Sequence, residues 1–111
     1  MAAVPGLAAA VSNAGALGMV TLTWSPDVAA VVRETAALTA RPFGDNFVLT
    51  DGHHRHLDQA LEAGLRIVSF IWGDPGEYVE AVHDAGGLVL LTVGSAEEAG
   101  WALHAVADRR V

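Results

Sequence analysis

Four short hydrophobic runs divide the chain into segments of similar length. The runs are near-continuous in hydrophobicity and rich in β-branched and aromatic residues, which is typical of strands buried on both faces. The four predicted strands are Gly18–Trp24, Phe43–Leu49, Arg66–Trp72 and Leu88–Val93. Their first residues, at 18, 43, 66 and 88, are separated by intervals of 25, 23 and 22. Each interval has room for one strand, one helix and two short loops.

Polar residues and glycines mark the ends of helices between these runs. Helix starts are indicated by Ser25-Pro26-Asp27, with an N-cap, a first-turn proline and an acid, by Asp74-Pro75-Gly76-Glu77, and by the capping box Ser95-Ala96-Glu97-Glu98. Gly15, Gly64 and Gly86 each follow a stretch of helical periodicity, where a left-handed C-terminal residue is expected.

The alternation of strands and helices predicts an α/β fold with a parallel sheet, because parallel strands need crossover connections. Two architectures satisfy it. One is a complete, doubly wound, flavodoxin-like domain, which the length of 111 residues favours. The other is a segment of a (β/α)8 barrel, which takes about 250 residues in full, so that this chain supplies about half. In either case residues 1–111 form a single domain.

Composition narrows the range of partners. Thirteen acidic and six basic side chains give a formal charge of −7, which repels phosphate backbones, so no nucleic-acid partner is expected. The absence of cysteine removes disulfides, thiolate nucleophiles and cysteine-ligated metals. No apolar run approaches the roughly 20 residues of a membrane helix, and Met1–Pro5 does not resemble a secretory signal. A soluble protein without a membrane partner is expected, in the cytoplasm.

Several motifs, in the same order, resemble the nitronate monooxygenase family, formerly called 2-nitropropane dioxygenases, which also includes flavin-dependent enoyl reductases. The matching segments are LAAAVSNAGALG at Leu7–Gly18, RPFGDNF at Arg41–Phe47 and IVSFIWG at Ile67–Gly73, followed by the SAEEA helix start at Ser95–Ala99. The resemblance covers almost the whole chain. It implies an FMN-binding TIM barrel with the flavin at the C-terminal ends of the strands, of which this chain resembles strands two to five.

The resemblance also implies four cofactor-binding residues. Asn46 matches the family asparagine that hydrogen-bonds the flavin, and Met1 aligns with a methionine close to it. Ser69 lies, with Phe70, where the family lines its substrate cavity, and Thr92 stands on the active-site rim. Without the resemblance each residue has an ordinary structural role. Asn46 is a polar residue where a strand passes into a loop, and Ser69 forms a local hydrogen bond. Phe70 belongs to the core, and Thr92 is a β-branched strand residue.

The chain departs from the family in two respects. Asp45 stands where the family usually has an apolar or small residue, and an acid beside a reduced anionic flavin is unfavourable, which puts the local register in question. No residue matches the family's catalytic histidine, which lies in a part of the family sequence with no counterpart here. We therefore assign no catalytic residue, and the resemblance leaves the choice between an alkyl nitronate and an enoyl thioester open.

The histidines are expected to be structural or solvated. His53, His54 and His56 form an unspaced cluster near Asp51 and Asp58, which is more often solvated than metal-binding. His83 and His104 fall within predicted helices on the outside of any barrel.

Three accounts of the function follow. The chain is a fragment or remnant of an FMN-dependent oxidoreductase of the nitronate monooxygenase type, a non-catalytic half-barrel that oligomerises, or a complete flavodoxin-like domain that binds a small ligand. A half-barrel predicts a homo-oligomer, because its open sheet edges carry unpaired N–H and C=O groups. It also predicts exposed apolar residues on the inner face, such as Val68, Phe70 and Leu90.

Overall fold

A computed structural model describes residues 5–22, 25–48, 54–71 and 75–107. Within these residues helices and strands alternate along the chain. The elements are α1 (Pro5–Asn13), β1 (Gly18–Val20), α2 (Val28–Leu38), β2 (Phe43–Val48), α3 (His54–Glu62), β3 (Ile67–Ile71), α4 (Gly76–Asp84), β4 (Leu88–Leu91) and α5 (Ala96–Ala107).

The described strands form one parallel sheet in the order β1-β2-β3-β4. All four predicted strands are present, with shorter bounds. β1 ends at Val20 because the next core residue, Leu22, donates its N–H to the Asp45 carboxylate (3.1 Å) rather than to a strand carbonyl. Beyond β4, the N–H of Thr92 still donates to the carbonyl of Phe70 (3.0 Å). The predicted ends at Trp24, Leu49 and Trp72 lie outside the described residues.

The path of the chain distinguishes the two predicted architectures. Strands that are consecutive in sequence are neighbours in the sheet, and consecutive helices from α1 to α4 contact one another, so these helices cover one face. A doubly wound sheet reverses its strand order and carries helices on both faces. The flavodoxin-like alternative is therefore wrong, and the prediction of parallel β/α units from a barrel is confirmed.

Three helices end in the same hydrogen-bonded turn. Gly15, Gly64 and Gly86 follow α1, α3 and α4 with φ angles of 100°, 112° and 81°, in the left-handed region that favours glycine. The residue after each glycine donates its N–H to a carbonyl five positions earlier, as Leu65 does to Ala60 (3.0 Å). The predicted C-terminal glycines are confirmed.

The helix starts differ in detail from the predictions. Asp27, not Ser25, is the N-cap of α2, because its carboxylate accepts the N–H of Ala30 (3.1 Å) while Ser25 is buried before the helix. Pro75 is the N-cap of α4 and provides no side-chain bond; Asp74 lies outside the described residues.

The capping box at the start of α5 is confirmed with one change. The hydroxyl of Ser95 accepts the N–H of Glu98 (3.1 Å), as predicted. The Glu98 carboxylate accepts the N–H of Gly94 (2.8 Å), which is the residue before the N-cap. The box therefore joins the end of the β4 unit to its helix.

The two faces of the sheet have different environments. The face toward the helices holds the core, where Val20, Phe47, Val68 and Phe70 are at most 4% exposed. The opposite face, called the open face below, carries Met19, Gly44, Asn46, Val48, Ile67, Ser69, Ile71, Leu88 and Leu90.

The expected exposure of the inner-face residues is correct for Leu90 and wrong for Val68 and Phe70. Side chains alternate between faces along a strand. Ser69 lies on the open face, so its neighbours Val68 and Phe70 lie on the helix side, where they are 0% and 1% exposed. Leu90 is 47% exposed.

The loops at the amino ends of the strands are joined by side-chain hydrogen bonds. The buried hydroxyl of Ser12 accepts the N–H of Gly18 (2.9 Å) and donates to the carbonyl of Pro42 (2.8 Å). Asn13 accepts the hydroxyl of Thr39 through Oδ1 and donates through Nδ2 to the carbonyl of Leu38 (3.2 Å). These bonds tie α1 to the starts of both β1 and β2.

Candidate functional site

Two polar side chains meet on the open face, one at the centre of β3 and one just past the centre of β2. Asn46 of β2 and Ser69 of β3 are partners in the register of the sheet. The Ser69 hydroxyl donates to Oδ1 of Asn46 at 2.6 Å, and both residues are half-buried. The structure therefore brings together two of the four residues that the resemblance indicates.

This hydrogen bond fixes which part of the amide remains available. Oδ1 of Asn46 is occupied by the Ser69 hydroxyl, which leaves Nδ2 as the donor, and among the described residues Nδ2 has no acceptor. An amide N–H on a half-buried surface suits a ligand that presents acceptor atoms. The pair can hold the polar edge of a planar heteroaromatic group.

The surroundings of the pair are apolar. Leu90 of β4 lies beside Ser69 in the register, and Ile67 and Met19 lie one step toward the amino ends on the same face. Gly44 allows these side chains to approach, because a Cβ there would lie 3.1 Å from the Met19 sulfur. The pair is thus a polar point on an otherwise hydrophobic surface, which is the usual lining of a small-molecule site.

The other two indicated residues are not joined to the pair. Thr92 is exposed and directly follows β4, at the carboxyl end of the sheet, where a barrel carries its active site. Its described hydrogen bond is the backbone bond to Phe70, and it makes none with Asn46 or Ser69. Met1 lies outside the described residues, so its predicted role stays a prediction.

Asp45 faces away from the pair, into the core. It pairs in register with Val20 and Val68 and is 0% exposed. The predicted conflict between this acid and a flavin therefore does not arise, and the register of β2 is regular. The sequence itself indicates this orientation, because Asp45 stands two positions before Phe47 and therefore lies on the same, buried face of the strand.

Burial changes the acid–base behaviour of Asp45. Desolvation raises its pKa from 3.8 to about 7, against the opposing effect of N–H groups from Leu22 and Asn46. Its Oδ2 is buried and, among the described residues, has no hydrogen-bond partner. This carboxyl lies directly behind the Asn46 backbone, in the core rather than beside the flavin position that the resemblance implies.

The histidines do not form a described metal site. His53 and the side chain of His54 lie outside the described residues, and His56 is half-buried in α3. His83 and His104 lie in α4 and α5, as predicted. Among residues whose positions are described, no three potential ligands converge. The described helices also include none with the length and apolarity to cross a membrane.

A cavity of about 380 Å³ lies at the opposite end of the sheet from the Asn46–Ser69 pair. Its lining includes Arg41, Arg66 and the start of β4 at Leu88. Nη1 of Arg66 donates to the carbonyls of Leu61 and Leu65 (2.9 and 2.7 Å), so this side chain closes the C-terminus of α3. The cavity belongs to the amino ends of the strands, which in barrels serve stability.

Comparison with proteins of known structure places these units in a larger fold. FabK from Thermotoga maritima, a TIM barrel, superposes with a TM-score of 0.81 at 29% identity over 94% of this chain and 34% of its own. A variant of the same protein gives a TM-score of 0.83 at 30% identity over 91% of this chain and 35% of its own.

Curated relatives give a consistent result. The (3aS,4S,5R,7aS)-5-hydroxy-7a-methyl-1-oxo-octahydro-1H-indene-4-carboxyl-CoA dehydrogenase of Rhodococcus jostii strain RHA1 is 31% identical over 92% of this chain and 31% of its own length. The dehydrogenase of the same name from Mycobacterium tuberculosis is 30% identical over 84% of this chain and 27% of its own length. The chain therefore spans about a third of the length of these relatives.

The family profile described as nitronate monooxygenase matches residues 1–60, which is more than half of the chain. The matched segment contains α1, β1, α2 and β2, with the bonded loops of Ser12 and Asn13 at one end of the sheet and Asn46 toward the other. The chain belongs to the nitronate monooxygenase family.

Proposed function

We propose that this chain forms one wall of the FMN site of a flavin-dependent oxidoreductase. The observation that carries the proposal is the Ser69–Asn46 hydrogen bond (2.6 Å) on the open face, in a member of this family. The bond leaves an amide donor directed to the side of the sheet that a barrel encloses. Oxidised isoalloxazine presents ring nitrogen and carbonyl acceptors, so the donor fits the group.

Each residue has a distinct part in this proposal. Asn46 donates through Nδ2 to the flavin edge, Ser69 holds the amide in that orientation, and Thr92 and Met1 contribute further contacts at the carboxyl end. Bound FMN supplies the electron transfer, while the protein orients it and excludes water. Half-buried hydrophobic neighbours such as Ile67 strengthen the hydrogen bonds by lowering the local dielectric constant.

The proposed reaction is the oxidation of an alkyl nitronate, in the cytoplasm, and the name of the family supports this substrate. A second candidate is an acyl-CoA thioester, because the curated relatives are named as dehydrogenases of a carboxyl-CoA compound. Both are anionic molecules whose oxidation or reduction a flavin can carry.

Titration with FMN tests the proposal. The purified chain should retain flavin absorption after desalting, and Asn46→Ala should weaken FMN binding about three- to tenfold, the usual effect of one hydrogen bond. Binding is measured by the quenching of flavin fluorescence. Gln59→Ala, which removes an exposed amide from α3, is the matched control and should leave binding unchanged. Absence of retained flavin, or equal binding by the two variants, contradicts a flavin contact at Asn46.

A further inference from the structure

The connection between β1 and α2 is bonded to the neighbouring strand by the Asp45 side chain. Leu22 of this connection is 0% exposed, and its N–H donates to Oδ1 of Asp45 on β2 (3.1 Å). The carbonyl of Leu22 accepts the N–H of Ser25 (3.0 Å), which closes a turn, and Ser25 is buried as well. The path of the chain after β1 therefore depends on a hydrogen bond to a carboxyl group of β2.

The elements on either side of this connection are held independently of it. Val20, at the end of β1, pairs in register with Asp45. α2 has its own N-cap, because the carboxylate of Asp27 accepts the N–H of Ala30 (3.1 Å). Leu22 can therefore leave Asp45 without the unfolding of β1 or α2. The connection follows a strand, so it lies at the carboxyl end of the sheet, where a barrel carries its active site.

Asp45 is a costly residue to bury beneath this connection. It lies in register between Val20 and Val68 and is 0% exposed. A carboxylate without water is unfavourable, and desolvation accordingly raises the pKa of Asp45 from 3.8 to about 7. Displacement of Leu22 would remove the residue that covers the carboxyl group and give water a path to it.

No charged side chain in the described part of the chain compensates for this burial. The raised pKa of Asp45 comes from desolvation, opposed by backbone N–H groups, and no charged group contributes to it. The described parts of β1, β3 and α1 contain no titratable side chain. The titratable side chains of α2 and α3 and of the connection are exposed, apart from a half-buried histidine: Asp27, Arg33, Glu34, Arg55, His56 (half-buried), Asp58 and Glu62.

We propose that Asp45 makes the connection between β1 and α2 sensitive to pH. The protonated carboxyl group keeps the connection closed over the core. Loss of the proton promotes an opening in which Leu22 leaves Asp45 and water reaches the carboxylate, which changes the shape of the carboxyl end of the sheet. The proposal does not depend on FMN.

The direction and size of the effect follow from the proton affinities of the two forms. The closed form holds the Asp45 proton up to about pH 7, whereas the solvated carboxyl of the open form has the ordinary pKa of 3.8. Between these values the open form is ionised while the closed form is still protonated. The open population should therefore rise about tenfold for each pH unit, and about a thousandfold in all.

Amide hydrogen exchange of the 111-residue chain, followed by NMR, tests the proposal. The exchange rate of the Leu22 N–H reports the opening. Asp45→Asn retains an oxygen that accepts this N–H but has no proton to lose. The rate in the wild type, divided by the rate in Asp45→Asn at the same pH, should rise about tenfold per unit from pH 4 to pH 7. Asp58→Asn, at an exposed position on α3, is the matched control and should exchange as the wild type does.

The N–H of Val68 distinguishes a local opening from unfolding of the whole chain. Val68 is buried and pairs in register with both β2 and β4, so it should exchange only on global unfolding. Low concentrations of urea should accelerate exchange at Val68 and leave exchange at Leu22 almost unchanged, because a local opening exposes little surface.

Either of two results would overturn the proposal. One is an equal urea dependence at Leu22 and Val68, and the other is a ratio of wild-type to Asp45→Asn exchange that does not change with pH. If Asp45→Asn does not fold, the wild type decides alone. Its Leu22 exchange rate, divided by that of an unstructured peptide of the same sequence, must then show the same rise with pH.

Discussion

Replacing Asp45 with asparagine is expected to stabilise the protein at pH 8 and to leave its stability at pH 4 almost unchanged. Asp45 is fully buried and its pKa is raised to about 7. Above that pH the folded protein holds a carboxylate whose buried Oδ2 has no hydrogen-bond partner in the part of the chain that the structure describes. Asparagine has the same shape without the charge, and so it imitates the protonated acid.

The sign of the effect follows from proton binding. Between the unfolded pKa of 3.8 and the folded pKa of about 7, the folded state binds more protons at Asp45, so this residue makes stability fall as pH rises. At about 1.4 kcal/mol per pKa unit, the loss is on the order of 4 kcal/mol above pH 7. Urea unfolding of the wild type and of Asp45→Asn, at pH values from 4 to 8, measures this loss as the difference between their free energies of unfolding.

The exposed Asp58 on α3 provides the matched control. Asp58→Asn should follow the wild-type dependence on pH throughout. If Asp45→Asn also follows the wild-type curve, the Asp45 carboxyl is ionised in the folded protein at no cost, and its proposed environment is wrong.

The substitution Gly18→Ala is expected to destabilise the protein by about 4 kcal/mol. A Cβ at this position would lie 2.0 Å from the carbonyl oxygen of Ala8 and 2.7 Å from the Ser12 hydroxyl. Backbone has to move to relieve such a contact, at the upper end of the usual overpacking cost of about 1–3 kcal/mol. The buried bond from Gly18 N–H to Ser12 (2.9 Å) is disturbed as well, which adds about 1 kcal/mol.

Gly100→Ala tests the same change where the structure has space. Gly100 lies in α5, and a Cβ there meets nothing within 4 Å. Alanine in an exposed helix should stabilise it locally, by about 0.5–1 kcal/mol relative to glycine. If Gly18→Ala lowers the urea midpoint and Gly100→Ala raises it, the close contact between α1 and β1 is supported. An effect of Gly18→Ala as mild as that of Gly100→Ala would disprove the contact.

The fold was largely predictable because its signals are local. Near-continuous apolar runs located all four strands, and the positive φ angles of Gly15, Gly64 and Gly86 follow from a steric requirement that only glycine meets cheaply. The start of α2 was misplaced because Ser25 and Asp27 are both good N-caps, and only the bond to Ala30 distinguishes them.

The choice of architecture and the site were less accessible from local patterns. Strand order depends on contacts between distant segments, and periodicity does not report it. Asn46 and Ser69 were indicated by the family resemblance, but their mutual bond depends on the register between β2 and β3. For Phe70 the family resemblance indicated a cavity and the residue type indicated the core; its alternation with Ser69 along β3 places it in the core.

The hydrogen bonds of Ser12 and Asn13 bear on how homologues of this chain are interpreted. Both residues belong to the LAAAVSNAG motif, and both bind loops at the amino ends of the strands, away from Asn46 and Ser69. That motif therefore serves the assembly of the fold. A homologue without the FMN contact proposed for Asn46 would still need the motif in order to fold, so the presence of the motif in a genome records ancestry and architecture and does not report whether a cofactor is bound.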